Sequence, residues 1–247
     1  MYSRTGCLIC SNKLIYLSNS EGLVCYYCNE IFDNNVKCTS GHFVCEKCQG
    51  LSANDLIETY CIKSKLEDPF ELATILMRNP KFKIHGPEHH FLVPAVLLAA
   101  FYNAKRSYED KESSIQLARK RVEKLSGEPC SSHGNCGAAV GTGIFISLIT
   151  NATTLSKCEC KLSNLMTSKS SYYIGIYGGP RCCKRNTFLS IKEATNFLEE
   201  IFGTKMNISA DPVCEFSSSN GECKGNECPF FGKELLNTGT SDICAHE

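Results

Sequence analysis

A mainly α-helical C-terminal domain preceded by a small N-terminal α+β module is the architecture this sequence predicts, and three observations predict it. Residues 1–50 are crowded with cysteine pairs set between turn residues and short β-prone runs. Residues 51–247 carry repeated helix starts with capping chemistry. Two apolar runs, Phe91–Phe101 and Ala138–Ile149, have the length of buried helices.

The first module reads Cys7-x-x-Cys10, Cys25-x-x-Cys28, Cys38-x-x-x-His42 and Cys45-x-x-Cys48. These ligands suit two tetrahedral zinc ions: structural zinc takes four Cys or His ligands, and a two-residue gap lets one knuckle aim both thiolates at one ion. Lys13 to Leu17 and Gly22 to Tyr27 read as short strands between the pairs, which makes the module a zinc ribbon or treble clef. Two pairings are open. A sequential one joins the first pair to the second and the third to the fourth. A cross-brace, which is favoured, joins Cys7, Cys10, Cys38 and His42 at one ion and Cys25, Cys28, Cys45 and Cys48 at the other. The run from Cys38 to Cys48 resembles the centre of RING and related cross-brace fingers, with a longer Cys38 to His42 gap and no further Cys-x-x-Cys close behind. A site with four protein ligands contributes folding energy and leaves no open position for chemistry. Its expected role is to hold a small core and to dock, on a protein partner or on the rest of the chain.

Charge is balanced, with Lys plus Arg and Asp plus Glu at 26 each, so the global field favours neither nucleic acid nor an anionic membrane as a partner. The compartment must be settled before the role of 18 cysteines. The N-terminus has no apolar run of signal-peptide length, and both apolar runs fall short of the roughly 18 residues of a membrane helix. The expectation is a reducing cytoplasm, where Cys-x-x-Cys pairs read as metal sites rather than disulfides.

Two helices open the second domain (51–247) and bridge it to the first, over 51–82. Ser52 to Asp55 starts one that runs to about Ser64, and Asp68-Pro69 starts another that runs to about Met77. His85-Gly86-Pro87-Glu88-His89-His90 then precedes the first apolar run, in which Pro94 predicts a kink or restart. Adjacent histidines on a helix diverge by about 100°, so they cannot share an ion, and His85 or His89 is the candidate for a site. Glu109 to Leu125 reads as an amphipathic helix whose Arg and Lys cluster is a solvated face. Next, Cys130 to Cys136 leads into the small-residue helix, with His133 and Cys136 at its start. A helix N-terminus favours a thiolate, which makes Cys136 a candidate reactive thiol. Neither a G-x-G-x-x-G nor a P-loop pattern is present.

Gly178-Gly179-Pro180-Arg181-Cys182-Cys183-Lys184-Arg185 reads as a turn between Leu162–Tyr177, ambiguous between helix and strand, and a helix opened by the capping box Ser190 to Glu193 and closed at Gly203. Arg181, Lys184 and Arg185 would stabilise thiolates at the vicinal pair. The tail carries Cys214, Cys223 and Cys228-Pro229 in a segment with little apolar periodicity. Thiolates hold iron–sulfur clusters, and Cys183, Cys214, Cys223 and Cys228 make a four-thiolate set for such a cluster or a further zinc. Cys136 and Cys182 are then left as reactive thiols, with His133 or His89 as proton carrier.

The segments HGPEHH, CSSHGNCGAAVGTG, GGPRCCKRNT and CEFSSSNGECKGNECPFF together resemble an uncharacterised cysteine-rich domain family of methanogenic archaea and anaerobic bacteria. The resemblance implies an oxygen-sensitive setting and directs attention to His85, His89, His133, Cys136, Cys182, Cys183, Cys223 and Cys228. The combined expectation is a cytoplasmic metal-binding protein with a structural zinc module and a second Cys-ligated site, iron–sulfur or zinc, serving redox, sulfur or one-carbon chemistry. The alternative is a non-enzymatic, zinc-stapled interaction module. No substrate is legible.

Overall fold

The computed structural model describes residues 6–125 and 134–232; the expectations for Cys130 and His133 fall outside these. The N-terminal module is built on an antiparallel hairpin of β1 (Leu14–Val24) and β2 (Ile31–Cys38), in register from Leu14 opposite Cys38 to Val24 opposite Ile31. The two strands expected at Lys13–Leu17 and Gly22–Tyr27 are largely the two ends of the single strand β1. The polar stretch between them is absorbed as an irregularity between Tyr16 and Glu21, which an exposed two-stranded ribbon tolerates because no buried face enforces strict alternation. A tight turn from Cys25 to Glu30 closes the hairpin, with the Cys25 amide bonded to the Glu30 carbonyl at 2.8 Å. After β2 a short helix, α1 (Glu46–Gly50), begins at Cys45, whose sulfur accepts the Cys48 amide at 3.4 Å.

Seven further helices follow among the described residues: α2 (Ala53–Lys63), α3 (Pro69–Arg78), α4 (Glu88–Lys105), α5 (Tyr108–Val122), α6 (Gly137–Ile149), α7 (Lys157–Tyr177) and α8 (Cys183–Phe202). The expected caps are present. Ser52 accepts the Asp55 amide, and Asp68 accepts the amides of Phe70 and Glu71 with Pro69 at the first helical position. Leu162–Tyr177 resolves as helix. No described helix is long and apolar enough to cross a membrane.

Helix α4 is the hub. It is buried from Glu88 through Phe101 and packs on α2, α3, α5, α6 and α8, as expected of a helix apolar on every side. It continues through Pro94 without a break, so the restart is not seen. Helix α6 lies between α4 and α7 because its small residues permit it: a Cβ on Gly137 would meet the His90 ring at 2.1 Å, and one on Gly143 would meet Thr167 Oγ1 at 2.0 Å. On α5, Ile115, Ala118 and Val122 face the core as predicted. Arg119 is not merely solvated, since it pairs with Asp55 and Glu58 of α2 and Glu123 of its own turn.

Helix α8 departs most from expectation. It begins at Cys183, seven residues before the predicted capping box, and Ser190 sits mid-helix, buried and hydrogen-bonded to Ser170 of α7 at 3.0 Å. Cys182 is the N-cap and accepts the Arg185 amide at 3.4 Å. The closing Gly203 is as predicted, in the left-handed region with φ 61°.

Buried apolar side chains form one continuous core from Cys7 to Phe230. The metal-ligand module therefore docks on the rest of the chain. Tyr26 stacks on Tyr60 of α2, Tyr27 meets Tyr60 edge-on, Asn29 donates to the Lys63 carbonyl at 3.0 Å, and Lys81 reaches the carbonyls of Gln49 and Leu51.

Candidate metal centres

The hairpin dictates which ligands meet. Strand β1 carries the chain from the Cys7-x-x-Cys10 knuckle to the Cys25-x-x-Cys28 turn, and β2 returns it so that Cys38 lies opposite Leu14, beside the first knuckle. The chain then runs back: Phe43 bridges in parallel to Cys25, and the Tyr26 amide bonds to the Phe43 carbonyl at 2.8 Å. This places Cys45 and Cys48 at the hairpin turn. The ligand atoms of Cys7, Cys10, Cys38 and His42 lie within 4.8 Å of one another, as do those of Cys25, Cys28, Cys45 and Cys48. The arrangement is the cross-brace.

Distances within each group match a tetrahedral ion. The sulfurs of Cys10 and Cys38 are 3.8 Å apart, those of Cys28 and Cys45 3.9 Å, and His42 Nδ1 is 3.3 Å from the Cys10 sulfur. Zinc–sulfur bonds of about 2.3 Å in a tetrahedron put sulfurs about 3.8 Å apart. Backbone amides point at the sulfurs: Ile9 at Cys7 (3.4 Å), His42 at Cys38 (3.2 Å) and Cys45 at Cys25 (3.4 Å). At Cys25 and Cys38 burial raises the thiol pKa, but the converging amides outweigh it and hold both below the ordinary value. Cys7 and Cys28, where burial wins, are pushed up to about 11.

The third cysteine group is in the helical domain. A cleft there is lined by Cys182, Cys214, Cys223 and Cys228 together with Lys184, Arg185 and Glu222. The expected set contained Cys183 in place of Cys182; with the helix starting at Cys183, it is Cys182 that lines this cleft. As N-cap, Cys182 faces the cleft. Cys183 is buried in the first turn, does not line it, and donates its amide to the Ile84 carbonyl at 3.2 Å. The tail is held by more than its cysteines. Phe216 and Phe230 are buried, Phe230 packs 5.3 Å from the Phe188 ring of α8, and the Cys214 amide bonds to the Phe230 carbonyl at 2.6 Å. The signal for this anchoring was the aromatic residue two positions after both Cys214 and Cys228.

Each of the four thiols in the cleft also receives a backbone amide. Arg185 donates to Cys182, Phe216 to Cys214 and Gly225 to Cys223, each at 3.4 Å, and the Phe230 amide serves Cys228. Burial pushes the Cys214 thiol up to about 11, and negative charge on Cys182, Cys228 or Cys223 would push it further. Burial likewise raises Cys228, partly offset by the Phe230 amide and the Arg185 guanidinium.

The remaining candidates lie elsewhere. Cys136 caps α6, takes a 3.5 Å contact from the Asn186 side-chain amide of α8, and does not line the cleft. His89 is 1% exposed; its Nε2 donates to the Lys83 carbonyl at 3.1 Å, which leaves Nδ1 to accept from Thr187 Oγ1 at 3.0 Å. Burial first, then the Lys184 charge, hold it down at about 3. With both nitrogens engaged inside the fold, it braces α4 against α8. His85 sits nearer the cleft, 3.7 Å from the Glu222 carboxylate.

Residues 57–231, more than half of the chain, match a family of unknown function (DUF5714). No curated protein and no solved structure matches the chain.

Proposed function

The chain belongs to this DUF5714 family, and from its ligand geometry we propose that it is a metal-binding protein with two kinds of site. The N-terminal module is a cross-braced, treble-clef-like structural element for two zinc ions, and the thiol cleft between α8 and the tail is the working site. The observation that carries the reading is the convergence of two complete four-ligand sets within 4.8 Å. Both N-terminal sets are complete without solvent, so their contribution is to folding. The cleft, by contrast, opens to solvent and presents thiols, a setting suited to redox or sulfur chemistry.

Metal analysis by mass spectrometry on the whole chain, purified without oxygen, tests this. About two zinc ions per chain that resist mild chelation are expected for the module. A chain that folds with no bound zinc would overturn the reading.

A further inference from the structure

We propose that Cys182, Cys214, Cys223 and Cys228 hold an iron–sulfur cluster, with the Arg185 side chain as a hydrogen-bond donor to it. The proposal deepens the reading of the cleft as the working metal site and rests on that reading. Three observations carry it.

The first is spacing. Among the described residues only the two N-terminal sets bring three or more ligand atoms within 4.8 Å; the cleft thiols surround one space without converging on one point. A single zinc needs sulfurs about 3.8 Å apart. A two-iron or four-iron cluster also takes four thiolates, but spreads them over different irons and fills the space between with sulfide. The second is an orphan donor. Arg185 is 4% exposed and lines the cleft; its Nη2 is used on the carbonyls of Gly178 (2.6 Å) and Pro180 (3.1 Å), while its Nε is buried without a partner. A buried N–H without an acceptor is costly, and a cluster sulfide or cysteinate sulfur would satisfy it. The third is charge. Lys184, 1% exposed, lines the same cleft with its ammonium on the carbonyls of Met77 (2.8 Å) and Phe82 (3.1 Å) and 4.4 Å from the Phe216 ring centre. A four-thiolate cluster in its oxidised form carries about two net negative charges, and the adjacent buried cations Lys184 and Arg185 offset them. Buried charges persist in folded proteins when they are compensated in this way.

The test is anaerobic reconstitution of the full chain with ferric iron, a thiol reductant and sulfide, followed by iron, zinc and acid-labile sulfide analysis and a visible spectrum. Iron and sulfide in about equal amounts, with broad visible absorption, are expected in addition to the module's zinc. Cys182→Ser and Cys223→Ser should each lose most of the iron, whereas Cys183→Ser should keep it. Unchanged zinc content and helical circular dichroism in the same samples report that the variants fold. A colourless chain that takes up a further zinc and no sulfide would overturn the cluster while leaving the metal-site reading intact. Iron kept by Cys182→Ser but lost by Cys183→Ser would overturn the ligand set. Because the wild-type metal content decides between cluster and zinc, a misfolded variant does not shelter the proposal.

Discussion

Asn79, at the end of α3, donates a 3.4 Å hydrogen bond to the hydroxyl of Tyr27, which lies between the ligands Cys25 and Cys28. Tyr27 is completely buried, and its ring meets Tyr60 of α2 edge-on. The second metal set is thereby tied to the helical core by a side chain from inside its own knuckle.

Tyr27→Ala should lower stability by about 3–5 kcal/mol, the range for deleting a buried aromatic ring. Tyr27→Phe, which removes only the hydroxyl, should cost about 1 kcal/mol. Denaturant midpoints followed by helical circular dichroism check both, and a Tyr27→Ala effect confined to the metal module would contradict the shared core.

The pairing of ligands is decided by double variants. Cys7→Ser with Cys38→Ser removes two ligands of one ion in the cross-brace, so one zinc should remain. Sequential pairing would put those residues on different ions, and both zincs would weaken. Cys7→Ser with Cys25→Ser should give the opposite pattern, losing both ions. Zinc per chain by native mass spectrometry reads the answer.

His89 makes stability depend on acid. In the unfolded chain it takes a proton below about pH 6.5, whereas in the folded chain burial holds it at about 3. The unfolded state therefore binds more protons in that window, and stability falls as pH falls through it. Between about pH 7 and about pH 5.5 this one group should cost about 1 kcal/mol. His89→Gln is less stable at neutral pH because it disturbs both hydrogen bonds, yet the gap to wild type should narrow by that amount over the same interval. A constant gap in parallel urea titrations would show that His89 is not held neutral.

Close approach of α6 to α4 makes Gly137 intolerant of a side chain. Its Cβ would fall 2.1 Å from the His90 ring, and displacing a buried ring should cost about 1–3 kcal/mol. Gly137→Ala compared with Gly50→Ala, where nothing lies within 4 Å, separates this clash from a general backbone effect in thermal melts.

Two four-ligand sets among eight N-terminal Cys and His residues, buried helices at Phe91–Phe101 and Ala138–Ile149, and the caps at Ser52, Asp68 and Gly203 were legible in the sequence. These are local features: ligand spacing, apolar runs and cap chemistry act within a few residues. The cross-brace was favoured in the sequence, but its reason, a hairpin returning Cys38 to the first knuckle, is tertiary. That Cys182 rather than Cys183 lines the cleft with the tail cysteines emerged from the fold, because a one-residue difference in a helix start turns a side chain by about 100°. The capping box at Ser190 misplaced that start: the burial of Lys184, Arg185 and Thr187 against neighbouring elements extends the helix backward past a local signal. His89, too, reads in the sequence as an imidazole at a helix start. Its neutrality follows from burial and the Lys184 charge, and its ring is fixed by Lys83 and by Thr187, which is 98 residues away in the chain, a partner no spacing rule can supply.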